Sequence, residues 1–383
     1  MKKVIFLSLI WLSSIFTFGQ NQRISELVPS KKLDGVREVW IELPEGYQKD
    51  PKKKFPLILV LDGAYLLDVF SGTYKYATYW DEFPEAILVG ISQEKSNDRF
   101  DDSEANMADG GLSDRSGKFF EFIGADLLPM LEKKYRVGNF KVIAGHDVTA
   151  GFLHFFLFKD QPLFQGYIAI SPEFPDTLEE KLAQRFSFLK QKIFYYHATS
   201  DTDDVDIVEN CNYVDTEFQK NPNNLIQYQY DLLKGRGHYS IVPFAIPNAL
   251  YHIFGNYQPI SPKEYQDKIS VLTDNQTQYL VDKYNEIEKN FQTNTKPRFS
   301  DFRAIEAAIL KHKNYQEFGR LAEIAKKHYP KTLLENYFLG LMFEKQNYLD
   351  KAAKEYKNGF TKSPIGDITN EFLIEKVATL GRK

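Results

Sequence analysis

Cysteine is all but missing: Cys211 is the only one in 383 residues, so no disulfide can form within the chain and the thiol is expected to act as a buried apolar group. Excess positive charge is missing too. A net charge of -4, a pI near 6.1 and the lack of any basic stripe exclude a nucleic-acid binder. No His, Cys, Asp or Glu group has ligand spacing on one face, so neither a metal nor an organic cofactor is expected. After residue 20, no apolar run is long enough for an integral membrane segment. Aromatic residues, in contrast, are plentiful, with 31 Phe and 23 Tyr. A bulky core accounts for them more simply than an aromatic-lined groove.

Residues 1–20 open with Lys2 and Lys3, continue through an apolar body (VIFLSLIWL) and leave through small and polar residues. This is the pattern of a secretory signal, too short in its apolar part for a membrane span. The expected mature chain is exported, to the periplasm or the exterior, and starts near Asn21.

From residue 36 onward, strand and helix signals alternate. VREVWIEL (36–43) alternates apolar and polar, and PLILVLDG (56–63) is a continuous apolar run ending in Asp-Gly, as a buried parallel strand does. AILVGI (86–91) reads as a third strand. A long acidic, polar loop (92–117) follows it, and then an amphipathic helix (118–135) with Phe119, Phe122, Ile123, Leu127 and Leu131 on one face. Next comes KVIAGHDVTAGFLHFFLF (141–158), a short apolar run, a tight turn and a helix. Further strands at 164–171, 193–198 and 226–232 complete a doubly wound α/β sheet, in which ligands lie at the strand carboxyl ends.

The turn at Gly145, His146 and Asp147 has the frame of the nucleophile elbow G-x-S-x-G, where a strained turn presents a serine above the sheet. The serine is replaced by Asp147 and the second glycine by Thr149. A turn with a helix-capping Asp is the plainer reading of such a segment taken alone. The downstream residues favour the elbow. An acidic loop (200–206) comes after one later strand and His238 after the next, giving the order elbow, acid, histidine. In such a set the histidine carries the proton and the acid orients it. Spacing leaves Asp203 or Asp204 as the acid, with Asp203 preferred.

Six stretches, in order, resemble the putative esterase family, which includes esterase D and the enterochelin-type esterases: LILVLDGAY (57–65), VGI with the later NDR (89–99), 118–136, VIAGHDVTAG (142–151), YIAISP (167–172) and GHYSIVP (237–243). The resemblance covers residues 37–255 and implies an α/β-hydrolase domain over 21–258 with an ester-cleaving ancestry. Its elbow pattern is Gly-His-Ser-x-Gly-Gly, which His146 fits and which Asp147, Thr149 and Ala150 break. It also implies a catalytic histidine at His238, an acid at Asp203 or Asp204, and an oxyanion hole formed by the backbone N–H groups of Val148 and Ala64.

A carboxylate attacking an ester carbonyl would form a high-energy anhydride, so serine-type chemistry is not expected at Asp147. Three functions compete. The first is a pseudo-enzyme or binding protein for an ester-like small molecule. The second is a hydrolase using Asp147 with His238, either on saturated carbon, as in the related haloalkane dehalogenases and epoxide hydrolases, or through activated water. The third is a scaffold whose C-terminal helices hold a protein partner.

Those helices come after a helical linker at 259–299. Across 300–383 the strand signals stop, and Leu339, Gly340, Phe343, Ala352, Tyr356, Gly359 and Pro364 fall near tetratricopeptide spacing, with Asn336 in place of the leading Trp. Residues 314–330 echo 347–364 as a degenerate copy. So few repeats cannot close a core alone, and they are expected to dock on the α/β domain or on another protein.

Overall fold

The computed structural model describes residues 23–95, 97–106 and 109–381. The expected secretory signal at 1–20 lies outside them. Eight strands form one sheet: β1 (Ile24–Ser30), β2 (Gly35–Glu42), β3 (Phe55–Val60), β4 (Ile87–Ile91), β5 (Val137–His146), β6 (Gly166–Ile170), β7 (Ile193–Thr199) and β8 (Ile226–Leu232). Their order is β1-β2-β4-β3-β5-β6-β7-β8. The pairs β1–β2 and β2–β4 are antiparallel and all the others parallel.

Strand periodicity sorts the core into two layers. Along β3, Ile58 and Val60 join the cluster on one face, while Leu57 and Leu59 join that on the other. Residues of β5 and β7 divide in the same way, Val142 and Ala144 against Ile143, and Phe194 and Tyr196 against Tyr195. The helices on the sheet are α1 (Gly63–Tyr79), α2 (Asp98–Ser103), α3 (Asp114–Glu121), α4 (Leu128–Lys134), α5 (Val148–Phe152), α6 (Leu178–Phe188), α7 (Val205–Lys220) and α8 (Val242–Phe254). Most of the aromatic residues pack inside, and Cys211 on α7 is fully buried.

Three local readings change. Strand β1 was not expected, because it is a half-exposed edge strand carrying Glu26 and Pro29 and offers little apolar alternation. The polar stretch 92–117 holds α2 and the start of α3, with Ser113 capping α3 through the N–H groups of Arg115 and Ser116. The single helix expected over 118–135 is broken by a π-helical turn, Phe122–Leu127, immediately before Pro129. Proline lacks the N–H that a regular ladder needs there.

From residue 262 the chain is helical: α9 (Pro262–Glu264), α10 (Gln276–Phe291), α11 (Phe299–His312), α12 (Glu317–His328), α13 (Leu334–Lys345), α14 (Leu349–Asn358) and α15 (Asn370–Leu380). Gly340 of α13 lies so close to the Tyr356 ring of α14 that an added Cβ would fall 2.3 Å from it. The helical region is tied to the sheet through Phe291, whose ring packs 5.0 Å from Phe140 and 5.4 Å from Phe254. Arg298 adds a hydrogen bond of 2.9 Å to the Asp81 carbonyl and an ion pair with its carboxylate. Phe140 is near the amino end of β5, so this anchorage lies at the opposite end of the strand from Asp147. Among the described residues, no helix is long and apolar enough to cross a membrane.

Candidate active site

Strand β5 ends at His146 and α5 begins at Val148, leaving Asp147 alone at the corner with φ 61° and ψ -125°. Non-glycine residues rarely take such angles, and the cost is of order 1–3 kcal/mol. Close packing enforces the corner. A Cβ on Gly145 would lie 2.8 Å from Thr149 Oγ1, and one on Gly151 would lie 1.9 Å from the Glu173 carbonyl oxygen. Thr149, standing where the elbow pattern has its second glycine, is fully buried and knits this packing: its hydroxyl accepts from the His146 N–H at 3.1 Å and also lies 2.9 Å from the His146 carbonyl. The same hydroxyl donates to the Asp62 carboxylate.

Asp147, His238 and Asp203 come together from three separate loops. His238 Nε2 lies 3.7 Å from Asp147 Oδ1, and His238 Nδ1 lies 2.7 Å from Asp203 Oδ1. Asp203 also accepts from the Ser171 hydroxyl at 2.6 Å and from the Asp204 N–H at 3.0 Å. Burial alone would raise the Asp203 pKa; the hydrogen bonds from His238 and Ser171 outweigh it and hold the carboxyl down at about 2. The hydrogen bond to Asp203 raises the His238 pKa against the opposing effect of burial. Of the two candidate acids it is therefore Asp203 that meets the histidine, while Asp204 starts α7.

His146 supports the loop that carries His238. Its Nε2 lies 3.1 Å from the His238 carbonyl oxygen, which can only accept, so Nε2 bears the proton. Burial first, and the nearby His238 second, lower its pKa to about 4.

Arg99 is the residue that sequence reasoning did not single out, although the NDR stretch containing it was noted. Standing on α2, its guanidinium donates to Asp62 Oδ1 at 2.7 Å, to Asp147 Oδ2 at 3.2 Å and to the His146 carbonyl at 3.0 Å. Asp62 is buried in the left-handed turn before α1, and desolvation raises its pKa despite Arg99. Behind it, the Asp62 N–H donates to Gln93, whose amide donates to Asp102, and Asp102 forms a buried ion pair with Arg37 at 2.7 Å. This chain fastens α2, and so Arg99, to the sheet. Glu173, after β6, is the second unforeseen group. Burial raises its pKa, and the adjacent Asp147 raises it further.

Val148 and Ala64 occupy the first turns of α5 and α1, where backbone N–H groups have no intrahelical acceptor. Val148 and Glu173 also line a groove of ≈ 240 Å³. A larger cavity of ≈ 430 Å³ lies between Glu42, Ser71, Tyr74 and Glu85, and neither Asp147, His238, Asp203 nor Arg99 borders it.

Residues 30–152, which include Asp147 but neither Asp203 nor His238, match the family described as putative esterase. No curated protein matches the chain. Among solved structures, an uncharacterised protein from Capnocytophaga ochracea is 25% identical with a TM-score of 0.85, covering 94% of this chain and 100% of its own. An IroE-like serine hydrolase from Shewanella oneidensis is 18% identical with a TM-score of 0.61, over 83% of this chain and 100% of its own. The siderophore hydrolase EstA from Aspergillus nidulans is 15% identical with a TM-score of 0.50, over 66% and 99%. These last two likenesses concern the fold.

Proposed function

For a chain of α/β-hydrolase fold that resembles the putative esterase family over residues 30–152, we propose a binding protein on a disabled esterase scaffold, one that holds an ester-like small molecule without acyl transfer. The observation that carries this reading is the Asp147 carboxylate at the strained corner, with one oxygen on Arg99 at 3.2 Å and the other facing His238 at 3.7 Å. An attacking serine oxygen would stand there. A carboxylate in that place could acylate only to an anhydride, and the guanidinium on Oδ2 further lowers its nucleophilicity. The reading includes export after removal of residues 1–20.

The test is hydrolysis of short acyl esters by the purified chain without residues 1–20, from pH 5 to 9. No release above buffer is expected, with the same esters still shifting the melting temperature. Turnover that survives purification and disappears in Asp147→Asn would overturn it.

One observation favours a second reading, a hydrolase acting through Asp147 and His238: the histidine keeps its acid partner at 2.7 Å, so it could still activate water. Under that reading Asp147→Asn and His238→Ala must each abolish a measurable hydrolysis. The helical region remains a candidate surface for a protein partner; deleting residues 300–383 and losing a captured partner would support that role, and an unchanged set of captured proteins would dismiss it.

A further inference from the structure

His238 is held differently at its two ring nitrogens. Nδ1 lies 2.7 Å from the ionised Asp203, and a carboxylate can only accept, so Nδ1 carries a proton. Nε2 faces Asp147 Oδ1 at 3.7 Å, and Asp147 is a carboxylate in ion pair with Arg99. In a serine elbow the residue at that place is a hydroxyl, which gives its proton to a neutral Nε2. Here a neutral Nε2 would turn its lone pair toward an anionic oxygen, whereas a protonated one turns an N–H toward it. The other charged groups around the ring do not reverse that preference. Asp204 adds a third carboxylate from the loop before α7. Glu173 is pushed toward its neutral form by burial and by the adjacent Asp147. Arg99 is taken up by Asp62, Asp147 and the His146 carbonyl. His146 is kept neutral by burial, and Arg236, on the same loop as His238, lies 3.9 Å over the Phe244 ring.

The proton on Nε2 has somewhere to go. A separation of 3.7 Å is too long for a hydrogen bond to Asp147, and among the described residues Nε2 has no other acceptor. The His238 side chain is 22% exposed, so a ligand can reach it. Resting on the reading of the protein as a binder, we infer that His238 stands at neutral pH as an imidazolium clamped between Asp203 and Asp147, that it donates Nε2–H to a carbonyl oxygen of the ligand, and that losing this proton releases the ligand. An ester carbonyl has lone pairs and no proton, so it accepts from the charged donor and is repelled by the bare nitrogen. The raised His238 pKa agrees: its hydrogen bond to Asp203 comes first, and the charges of Asp203, Asp147 and Asp204 add to it against burial. The same charge state bears on hydrolysis. An imidazolium has no lone pair to take a proton from water, so the form of His238 that binds the ester is the form that cannot act as a base.

The test follows the His238 ring itself, through the pH dependence of its Cε1–H magnetic-resonance signal in the full chain without residues 1–20. The signal is identified by its loss in His238→Gln. It is expected to titrate above pH 7 in the unaltered protein and at lower pH in Asp147→Asn, which keeps the shape of the side chain and removes its charge. Titration below pH 7, or a midpoint indifferent to Asp147→Asn, would overturn the imidazolium assignment. Calorimetry with ethyl butyrate as the probe then reads the consequence, one pH unit below and one above the measured midpoint. Because the protonated fraction falls about tenfold over that interval, binding should weaken about tenfold, and in His238→Gln it should not change with pH. Equal affinity on the two sides, or a loss that persists in His238→Gln, would overturn the release step. If ethyl butyrate binds on neither side, the binding role and the release built on it fail together, while the titration still decides the charge on His238.

Discussion

Replacing Asp147 by serine asks how much of an esterase remains around the corner. The substituted oxygen would sit near the present Cγ, about 1.2 Å short of the carboxylate oxygens. Asp147 Oδ1 is already 3.7 Å from His238 Nε2, and a working pair needs about 2.6–3.2 Å. The histidine must therefore advance by up to about 2 Å, although His146 and Asp203 both hold it from behind. A misplacement of even about 1 Å costs about 100-fold in rate. Should Arg99, still fixed by Asp62 at 2.7 Å, also exclude one oxyanion donor, a further 10²–10³ is lost. Against the usual kcat/KM of about 10⁴–10⁸ M⁻¹s⁻¹, the expected value for Asp147→Ser lies at or below the bottom of that range, yet above the unaltered protein. Release of p-nitrophenol from its acetate measures this, with Asp147→Ser/His238→Ala as the control that should return to background. Stability should change by no more than about 1 kcal/mol, because Arg99 keeps its deeper partner and Asp147 is partly exposed. A folded Asp147→Ser protein with no turnover at all, or one whose turnover ignores His238, would refute the idea that only the attacking oxygen was exchanged.

Arg99→Met should destabilise the protein by about 3 kcal/mol in urea unfolding, since it strands the buried Asp62 carboxylate; a loss below 1 kcal/mol would mean that Asp62 is already protonated. Gly151→Ala drives a Cβ to 1.9 Å from the Glu173 carbonyl and should cost about 2 kcal/mol or more in urea unfolding; an unchanged midpoint would mean that the corner can relax without cost. Acid should weaken the fold through His146, His154 and His197, whose folded pKa values are lowered by burial from 6.5 to about 4, 4 and 3. A depressed folded pKa makes this stability complete above pH 6.5 and progressively lost as pH falls, by about 2 kcal/mol per histidine between pH 8 and 5. Asp102, raised by burial to about 6, acts in the opposite sense and returns about 1 kcal/mol over the same interval. Urea midpoints at pH 8 and 5 test the balance, and a midpoint that rises on acidification would contradict it.

Local pattern was enough for most of the α/β part, because a buried parallel strand is a contiguous apolar run and its turns carry Gly and Asp at the carboxyl end. Residues 56–60 and 142–144 fall inside β3 and β5 for that reason. The edge strand β1, half in water, carried no comparable signal. Asp147 and His238 could be named in advance because chain order around a strand, turn and helix is a local property. Asp203 was preferred to Asp204 in advance, but spacing could not separate them, since adjacent residues differ only in which side of the loop they face, and that is set by the Ser171 hydroxyl and the His238 ring.

The composition and periodicity of this chain determined by themselves that a two-sided core would form around a parallel sheet, since alternating apolar side chains have nowhere else to go. Only the folded structure decided that Arg99, from a polar stretch read as a loop, would sit between Asp62 and Asp147. An ion pair 37 residues long in one direction and 48 in the other is invisible to any local rule; it exists because Arg37 and Asp102 fasten α2 to the sheet and because a buried carboxylate such as Asp62 demands a cation wherever the chain can supply one.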